Sequence, residues 1–353
     1  VEVDVVPIEP GRQPDEHYHQ QAEILNRADV VHIQHEHAFW GGILPGKSAF
    51  WHLRYLIRKP LVITAHTTTP LRELLRVSEE RRPFHRIAKE LLLLRRAYRD
   101  SVETAPFVTS RCIVHTLEAQ QQLAARGAKE PHIHVIPAGI PAPVPAVRGG
   151  KLFRERYGPG PIVSLFGYLA PNKGYELVLK ALPMLPHDVT IVFAGGARVA
   201  EMEPYARSVR EAIDRCGAGQ RVHITGVLTD DEVAEAMAGS DIVTAPHTQA
   251  TGSYSVTVPL SYGKPVLASD LACFRELQQR GRCLETFPSG QADAFASALG
   301  RLLQNSADRE KLAAEAQRFA RQNTWHAVAQ RTMEVYLAAV EDDRILSIGG
   351  RHP

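Results

Sequence analysis

The chain has 353 residues, 44% hydrophobic and 23% charged, enough apolar material for two domains with cores of their own. Its formal charge of +2 is the small excess of 41 basic over 39 acidic side chains, mixed along the chain, so no global field argues for a nucleic-acid partner. The four cysteines, Cys112, Cys216, Cys273 and Cys283, lack the short paired spacings of metal sites or disulfide frameworks. No apolar run reaches the roughly 18 residues of a membrane-crossing helix and no stretch resembles a signal peptide, so the expectation is a cytoplasmic protein.

In the first part of the chain, Val- and Ile-rich runs read as strands: "VEVDVVPI", "DVVHIQ", "PLVITAH", "RCIVHT" and "HIHVIPAG". Helix-like stretches at 15–27, 46–58, 71–100 and 117–127 lie between them. Strand and helix in alternation predict a parallel sheet with crossover helices. The sequence opens at Val1 without a methionine.

Within "DVVHIQHEH", His32, His35, Glu36 and His37 invite a metal reading. On a strand His35 and His37 could meet, but Glu36 would point away. Phe39 also stands where the second histidine of a helical H-E-x-x-H site belongs, so no metal is expected. His66 closes "LVITAH" at the carboxyl end of a strand, where ligands of such sheets bind, although a locally hydrogen-bonded histidine fits the position too. The segment 71–99 sets nine Lys and Arg against four Glu around "LLLL". It could lie on an anionic membrane surface, or be a domain helix with a solvated basic face.

Residues 137–150, "PAGIPAPVPAVRGG", have no apolar period and read as a linker. The alternation restarts with "PIVSLFG", "DVTIVFAGG", "RVHITG", "DIVTAP" and "KPVLAS", then a helical tail from about 290 to 341. The expected fold class is α/β, two tandem doubly wound Rossmann-like domains with a cleft between them as the default site. The first would span 1–141, the linker 142–150 and the second 151–324, with a helix at 325–341 rejoining the first.

In "FGYLAPNKGYELVLKAL", Gly167 allows a sharp exit from the strand, and Lys173 precedes a helix starting at Gly174. A lysine beside a helix N-terminus can neutralise a phosphate that the dipole also attracts, but a solvated surface lysine reads equally well. Glu176 reads as a first-turn charge favourable to the dipole. In "APHTQATGSYSVTVPLSYG", Thr251 and Ser253 flank Gly252; such hydroxyls cap helices, and a glycine lets an anion approach the backbone. Pro259 should kink or shorten the helix that follows.

Taken in order, "VIPAGI", "GYLAPNKGYELVLKAL", "VFAGG", "RVHITGVLTDDEVAEAMAGSDIVTAP", "YGKPVLASD" and "NTWHAVAQRTMEVY" resemble the family-four retaining glycosyltransferases of the GT-B fold, over nearly the whole chain. The stretch "ADVVHIQHEHAFWGG" with "LVITAHTTTP" is similar to a branch of that family. The resemblance implies a hexosyltransferase in polysaccharide or glycoconjugate biosynthesis, retaining and metal-independent, with no cofactor. A nucleotide-diphosphate sugar serves as co-substrate, bound by the second domain, and a carbohydrate or lipid-linked acceptor is bound by the first.

Carried onto this sequence, the resemblance assigns the catalytic groups to His66 and Lys173. It assigns donor binding to Gly167, Tyr168, Lys173, Gly226, Val227, Thr251, Gly252, Ser253 and Tyr254, and acceptor binding to Gln34, His35 and Glu36. Tyr168 stands where relatives commonly carry an arginine, and Ala250 and Val258 fall where they carry two glutamates. "ATGSYS" resembles branches that have a Thr/Ser-Gly-Ser sequence there instead. The family's opening strand and glycine-rich loop have no counterpart, and "VEVDVVPI" resembles its second strand. The missing carboxylates leave a second reading, a catalytically silent GT-B scaffold that binds a nucleotide sugar or a protein partner.

Overall fold

The computed structural model describes residues 2–9, 13–36, 40, 50–71, 83–95, 105–108, 110–250 and 252–349. The chain divides into two compact units, one formed by Val1–Pro137 with Val328–Pro353, the other by Ala138–Ala327.

The first unit holds a four-stranded parallel sheet in the order β1 (Val31–His35), β2 (Leu61–Ala65), β3 (Arg111–Val114), β4 (Ile133–Val135). Helices α1 (Asp15–Leu25), α2 (Phe50–Leu56), α3 (Pro83–Leu94) and α4 (Leu117–Ala125) run between the strands or before them. All of β2 is buried, the mark of a parallel strand covered on both faces. One face packs Tyr18, Ile33, Phe50, Leu53, Ile63 and Leu123 together; on the other, Val62 and Ile113 meet Val335 and Ala339 of the C-terminal helix.

"VEVDVVPI" is not a strand: residues 2–9 pair with no strand among the described residues, and Val3 and Val5 are 73% and 85% exposed. Strand composition is a context-dependent preference, and among the described residues this segment does not add to the outer edge of β1, which pairs there with β2 alone.

The second unit holds a six-stranded parallel sheet built from β5 (Ile162–Phe166), β6 (Thr190–Ala194), β7 (Val222–Ile224), β8 (Ile242–Ala245), β9 (Val266–Ser269) and β10 (Glu285–Phe287). Their order is β10-β9-β8-β5-β6-β7. The three-residue β10 is too short to announce itself in the sequence. Around the sheet lie α5 (Lys151–Tyr157), α6 (Tyr175–Ala181), α7 (Glu203–Arg215), α8 (Asp230–Gly239), α9 (Tyr254–Ser261), α10 (Ala272–Gly281), α11 (Ala292–Gln304) and α12 (Ser306–Gln322); α13 (Trp325–Gly349) follows. "TDDE" forms a capping box on α8, with Thr229 and Glu232 satisfying each other's backbone amides.

The predicted linker lacks regular structure but is fastened to the second unit. The Val144 amide donates to the Tyr262 hydroxyl at 3.1 Å, and the Arg148 and Gly150 amides donate to the Glu235 carboxylate at 2.7 and 3.0 Å. Pro259 has the foreseen effect on α9. It offers no N–H to the turn before it, and the helix closes after eight residues, with the Tyr262 and Lys264 amides folded back onto the Pro259 carbonyl.

Candidate functional site

In the six-stranded sheet the direction of strand addition reverses between β5 and β8. Open α/β sheets leave a crevice at such a reversal, beyond the carboxyl ends of the two strands. The loop after β5 begins at Gly167 and ends at Lys173, and the loop after β8 carries Pro246 and His247.

Glycines let these loops close on each other. Gly167 has φ 127°, and a Cβ there would press on the Ser255 side chain at 3.3 Å. Gly174 has φ 80°, and its Cβ would lie 1.9 Å from the Pro246 carbonyl oxygen. The Thr248 amide donates to the Asn172 carbonyl at 3.0 Å, and the Asn172 side chain donates to the Gln249 carbonyl at 3.1 Å.

This closure turns Lys173 inward. Its Nζ lies 2.9 Å from Nε2 of His247, 3.1 Å from the Ser255 hydroxyl and 3.5 Å from the Ser253 hydroxyl. His247 is 3% exposed. Burial, and then the Lys173 charge, pull its pKa down to about 3, opposed by the Ala245 backbone. The ring is therefore neutral at pH 7, and its Nε2 lone pair can accept a hydrogen bond from the lysine ammonium. Burial alone lowers Lys173.

Ser253 is the N-cap of α9, but its hydroxyl does not cap the helix; it sits 2.6 Å from the Ser255 hydroxyl and faces Lys173. The first turn of α9 thus keeps its amides free of a side-chain cap beside a cation, an arrangement suited to an anion. Thr251 lies outside the described residues. Gly252 is exposed with no positive φ, and a Cβ there would meet nothing within 4 Å among the described residues, so the protein's own packing does not require the glycine. Tyr254, the first residue of α9, is 57% exposed.

Tyr168 is exposed on the β5 loop, its carbonyl accepting from the Tyr175 hydroxyl at 3.3 Å. Gly226 follows β7 with φ 84°, and the exposed Val227 comes next. Ala250 packs partly buried against the core beneath α9, and Val258 is half-buried on α9, so neither position presents a polar group. Glu176 accepts a hydrogen bond from the Tyr205 hydroxyl at 2.8 Å; burial, and then this bond, push that phenol's pKa upward.

In the first unit a row of polar side chains follows the carboxyl ends of the strands. Gln34 lies 2.8 Å from His66 Nε2 and 3.3 Å from His32 Nε2; His66 Nδ1 lies 3.3 Å from His115 Nε2; and His115 Nδ1 donates to the Ile136 carbonyl at 2.9 Å. Burial and then His66 lower His32 to about 4; burial, His115 and, opposing them, Glu36 set a net lowering of His66. The Gln34 amide turns its oxygen toward His66 Nε2 and its nitrogen toward His32 Nε2. Glu36 accepts from the Thr67 hydroxyl at 2.5 Å.

His35 does not join this row. It is 3% exposed, packed against Trp40, Phe50 and Phe107. This corrects its assignment to acceptor binding, because alternation along β1 sends His35 into the core and leaves Gln34 outside. His37 lies outside the described residues, as do 72–82 and 96–99 of the basic segment. Among the described residues no group of three or more His, Cys, Asp and Glu is placed to hold a metal ion, and no helix is long and apolar enough to cross a membrane.

His247, Ser255 and His115 escaped the sequence reading. His247 directly follows the strand "DIVTAP" and its proline, and the strand-end rule that drew attention to His66 applies to it equally.

A sequence model described as "Glycosyl transferases group 1" matches residues 160–305, and one described as "Glycosyltransferase Family 4" matches residues 9–142. The chain is 30% identical to a phosphatidyl-myo-inositol mannosyltransferase of Mycobacterium leprae, over 50% of this chain and 46% of that protein. It is 26% identical to a D-inositol 3-phosphate glycosyltransferase of Xylanimonas cellulosilytica, over 64% of this chain and 55% of that one. The matches span about half the length of these curated relatives. Among solved structures, the Anabaena protein HepE in complex with UDP superposes with a TM-score of 0.71 at 17% identity, covering 92% of this chain and 82% of that one. Sucrose-phosphate synthase from Thermosynechococcus elongatus gives 0.71 at 18% identity, covering 92% and 77%. With both halves matched by family models and its parallel sheets shared with these structures, the chain belongs to the family-four, group 1 glycosyltransferases of the GT-B fold.

Proposed function

We propose that the protein transfers a hexose from a nucleotide-diphosphate sugar to a carbohydrate or lipid-linked acceptor, with retention of anomeric configuration and without a metal ion or other cofactor. The observation that carries this reading is Lys173, held by His247 and Ser255 beside the uncapped first turn of α9 at the strand-order reversal. A departing nucleoside diphosphate gains negative charge as the glycosidic bond breaks. A fixed ammonium and helix amides stabilise that charge more in the transition state than in the ground state. A charge-assisted hydrogen bond of this kind contributes about 1.5 to 3 kcal/mol.

The remaining roles follow from the resemblance. His66 orients the sugar or the incoming hydroxyl, Gln34 and Glu36 meet the acceptor, and the backbone at Gly226 and Val227 holds the base. Relatives named for phosphatidyl-myo-inositol and for D-inositol 3-phosphate support a polyol or lipid-borne acceptor. The structures of HepE with UDP and with UDP-glucose support a nucleotide sugar as donor. A peripheral contact with membrane lipid is supported by α3, where Ile87, Leu91 and Leu94 are 54%, 59% and 58% exposed at helical spacing on one face.

The test is titration of the metal-free protein with UDP-, GDP-, ADP- and dTDP-sugars, followed by chromatography for released nucleoside diphosphate and proton NMR of the anomeric centre in the product. Binding of one donor with turnover and retention is expected. Ala250 and Val258, with no carboxylate to read the sugar or ribose, favour the second reading of a silent scaffold; binding without turnover, in the presence of a panel of acceptors, would establish it.

A further inference from the structure

Arg198 lies four residues beyond β6, past the turn Gly195–Gly196. This turn is locked to the loop after β5. The Gly167 amide donates to the Ala194 carbonyl at 3.1 Å and the Leu169 amide to the Gly196 carbonyl at 2.9 Å. A Cβ on Gly195 would lie 1.9 Å from the Gly167 carbonyl oxygen, and one on Gly196 would lie 2.7 Å from the Val227 amide. The glycine turn therefore touches both the loop that carries Tyr168 and Lys173 and the loop that carries Gly226 and Val227.

Beyond the turn, the Arg198 guanidinium lies over the Tyr168 ring, 5.5 Å from its centroid. Both side chains are exposed, and among the described residues Arg198 has no carboxylate or other hydrogen-bonding partner. A cation–π contact with a ring face localises a guanidinium but engages none of its N–H groups, so its donors stay available. An unpaired planar cation, oriented by a ring at the carboxyl edge of β5 and β6, is suited to bidentate binding of a phosphate.

We propose that Arg198, steered by Tyr168, is a second phosphate-binding cation for the nucleoside diphosphate, acting with Lys173 from the other end of the 167–173 loop. The assignment rests on the reading of this unit as a nucleotide-sugar site. Arg198 binds the diphosphate, and Tyr168 is a positioning residue that acts through it.

The experiment is calorimetric titration with UDP, GDP, ADP and dTDP, then with the best of the four and its parent nucleoside against Arg198→Ala, Tyr168→Leu, Tyr168→Phe and Arg198→Ala/Tyr168→Leu. Melting curves accompany each variant. Arg198→Ala is expected to weaken the diphosphate about tenfold or more while leaving the nucleoside within about twofold. Tyr168→Leu should weaken the diphosphate more than Tyr168→Phe does, and the double variant should be little worse than Arg198→Ala, since a ring that acts through the arginine has nothing left to steer. Native diphosphate affinity in Arg198→Ala, or equal losses for diphosphate and nucleoside, would overturn the assignment while leaving the nucleotide-sugar reading intact. A native protein that binds none of the four would sink that reading, and this assignment with it.

Discussion

The Lys173 ammonium and the buried ring of His247 are joined by a 2.9 Å hydrogen bond across 74 residues of sequence. Because the ring is held neutral, it serves as an acceptor that places the lysine without cancelling its charge, as a carboxylate would. His247→Leu should lower nucleoside diphosphate affinity roughly tenfold by releasing Lys173 from its position, and His247→Gln, which keeps an acceptor, should recover part of the loss. Undiminished affinity in a folded His247→Leu protein would show that the contact does not position the lysine.

Lys173 itself should matter more. Lys173→Met keeps the aliphatic stem and removes the charge, so the expected loss is greater for kcat than for donor KM, because the leaving charge is largest in the transition state. The two constants, measured with a donor found to turn over, check this. A loss confined to KM would mean that the lysine binds the ground state and transition state equally.

His247, lowered to about 3, and His32, lowered to about 4, give stability a predictable dependence on pH. The unfolded chain binds protons at these histidines near the ordinary value of about 6.5, whereas the folded protein refuses them until pH 3 to 4. Their contribution is therefore complete above about pH 6.5 and is lost as the pH falls toward 3. The urea midpoint should drop across that window, and the drop should be shallower in His247→Leu. An NMR titration of the His247 ring with unchanged shifts from pH 8 to 5 would agree; a transition near 6.5 would refute the neutral, buried ring.

Gly174→Ala should destabilise the second unit by about 1 to 3 kcal/mol, since the residue has φ 80° and an added methyl would overlap the Pro246 carbonyl oxygen. Lys173 is the residue before it, so nucleotide affinity should fall with stability. A shift in melting temperature reads the first effect and calorimetry the second. A variant with native stability would mean that the two loops separate easily.

The apolar face of α3 predicts binding to lipid. Replacing Ile87, Leu91 and Leu94 by serine should reduce sedimentation with vesicles containing anionic phospholipid and leave nucleoside diphosphate affinity unchanged, because these residues belong to a different unit from Lys173. Equal sedimentation of the two proteins would remove this face from consideration.

The sequence by itself determined the architecture. Val- and Ile-rich runs separated by helical periods can bury both faces only as parallel strands beneath crossover helices, and nine of the ten observed strands overlap runs legible on that basis. Glycine at 167 and the lysine beside a helix start were legible too, because backbone exits and helix termini are local. Pairing was not. "VEVDVVPI" has strand composition yet joins no strand among the described residues, and the parity of β1 that buries His35 depends on which face meets Phe50 and Phe107. Only the tertiary structure placed β5 beside β8, and so brought Lys173 to His247 and Ser255. Strand order is fixed by the packing of whole layers, whereas composition and periodicity record each segment alone; a buried neutral histidine and a stacked arginine exist only once those layers have met.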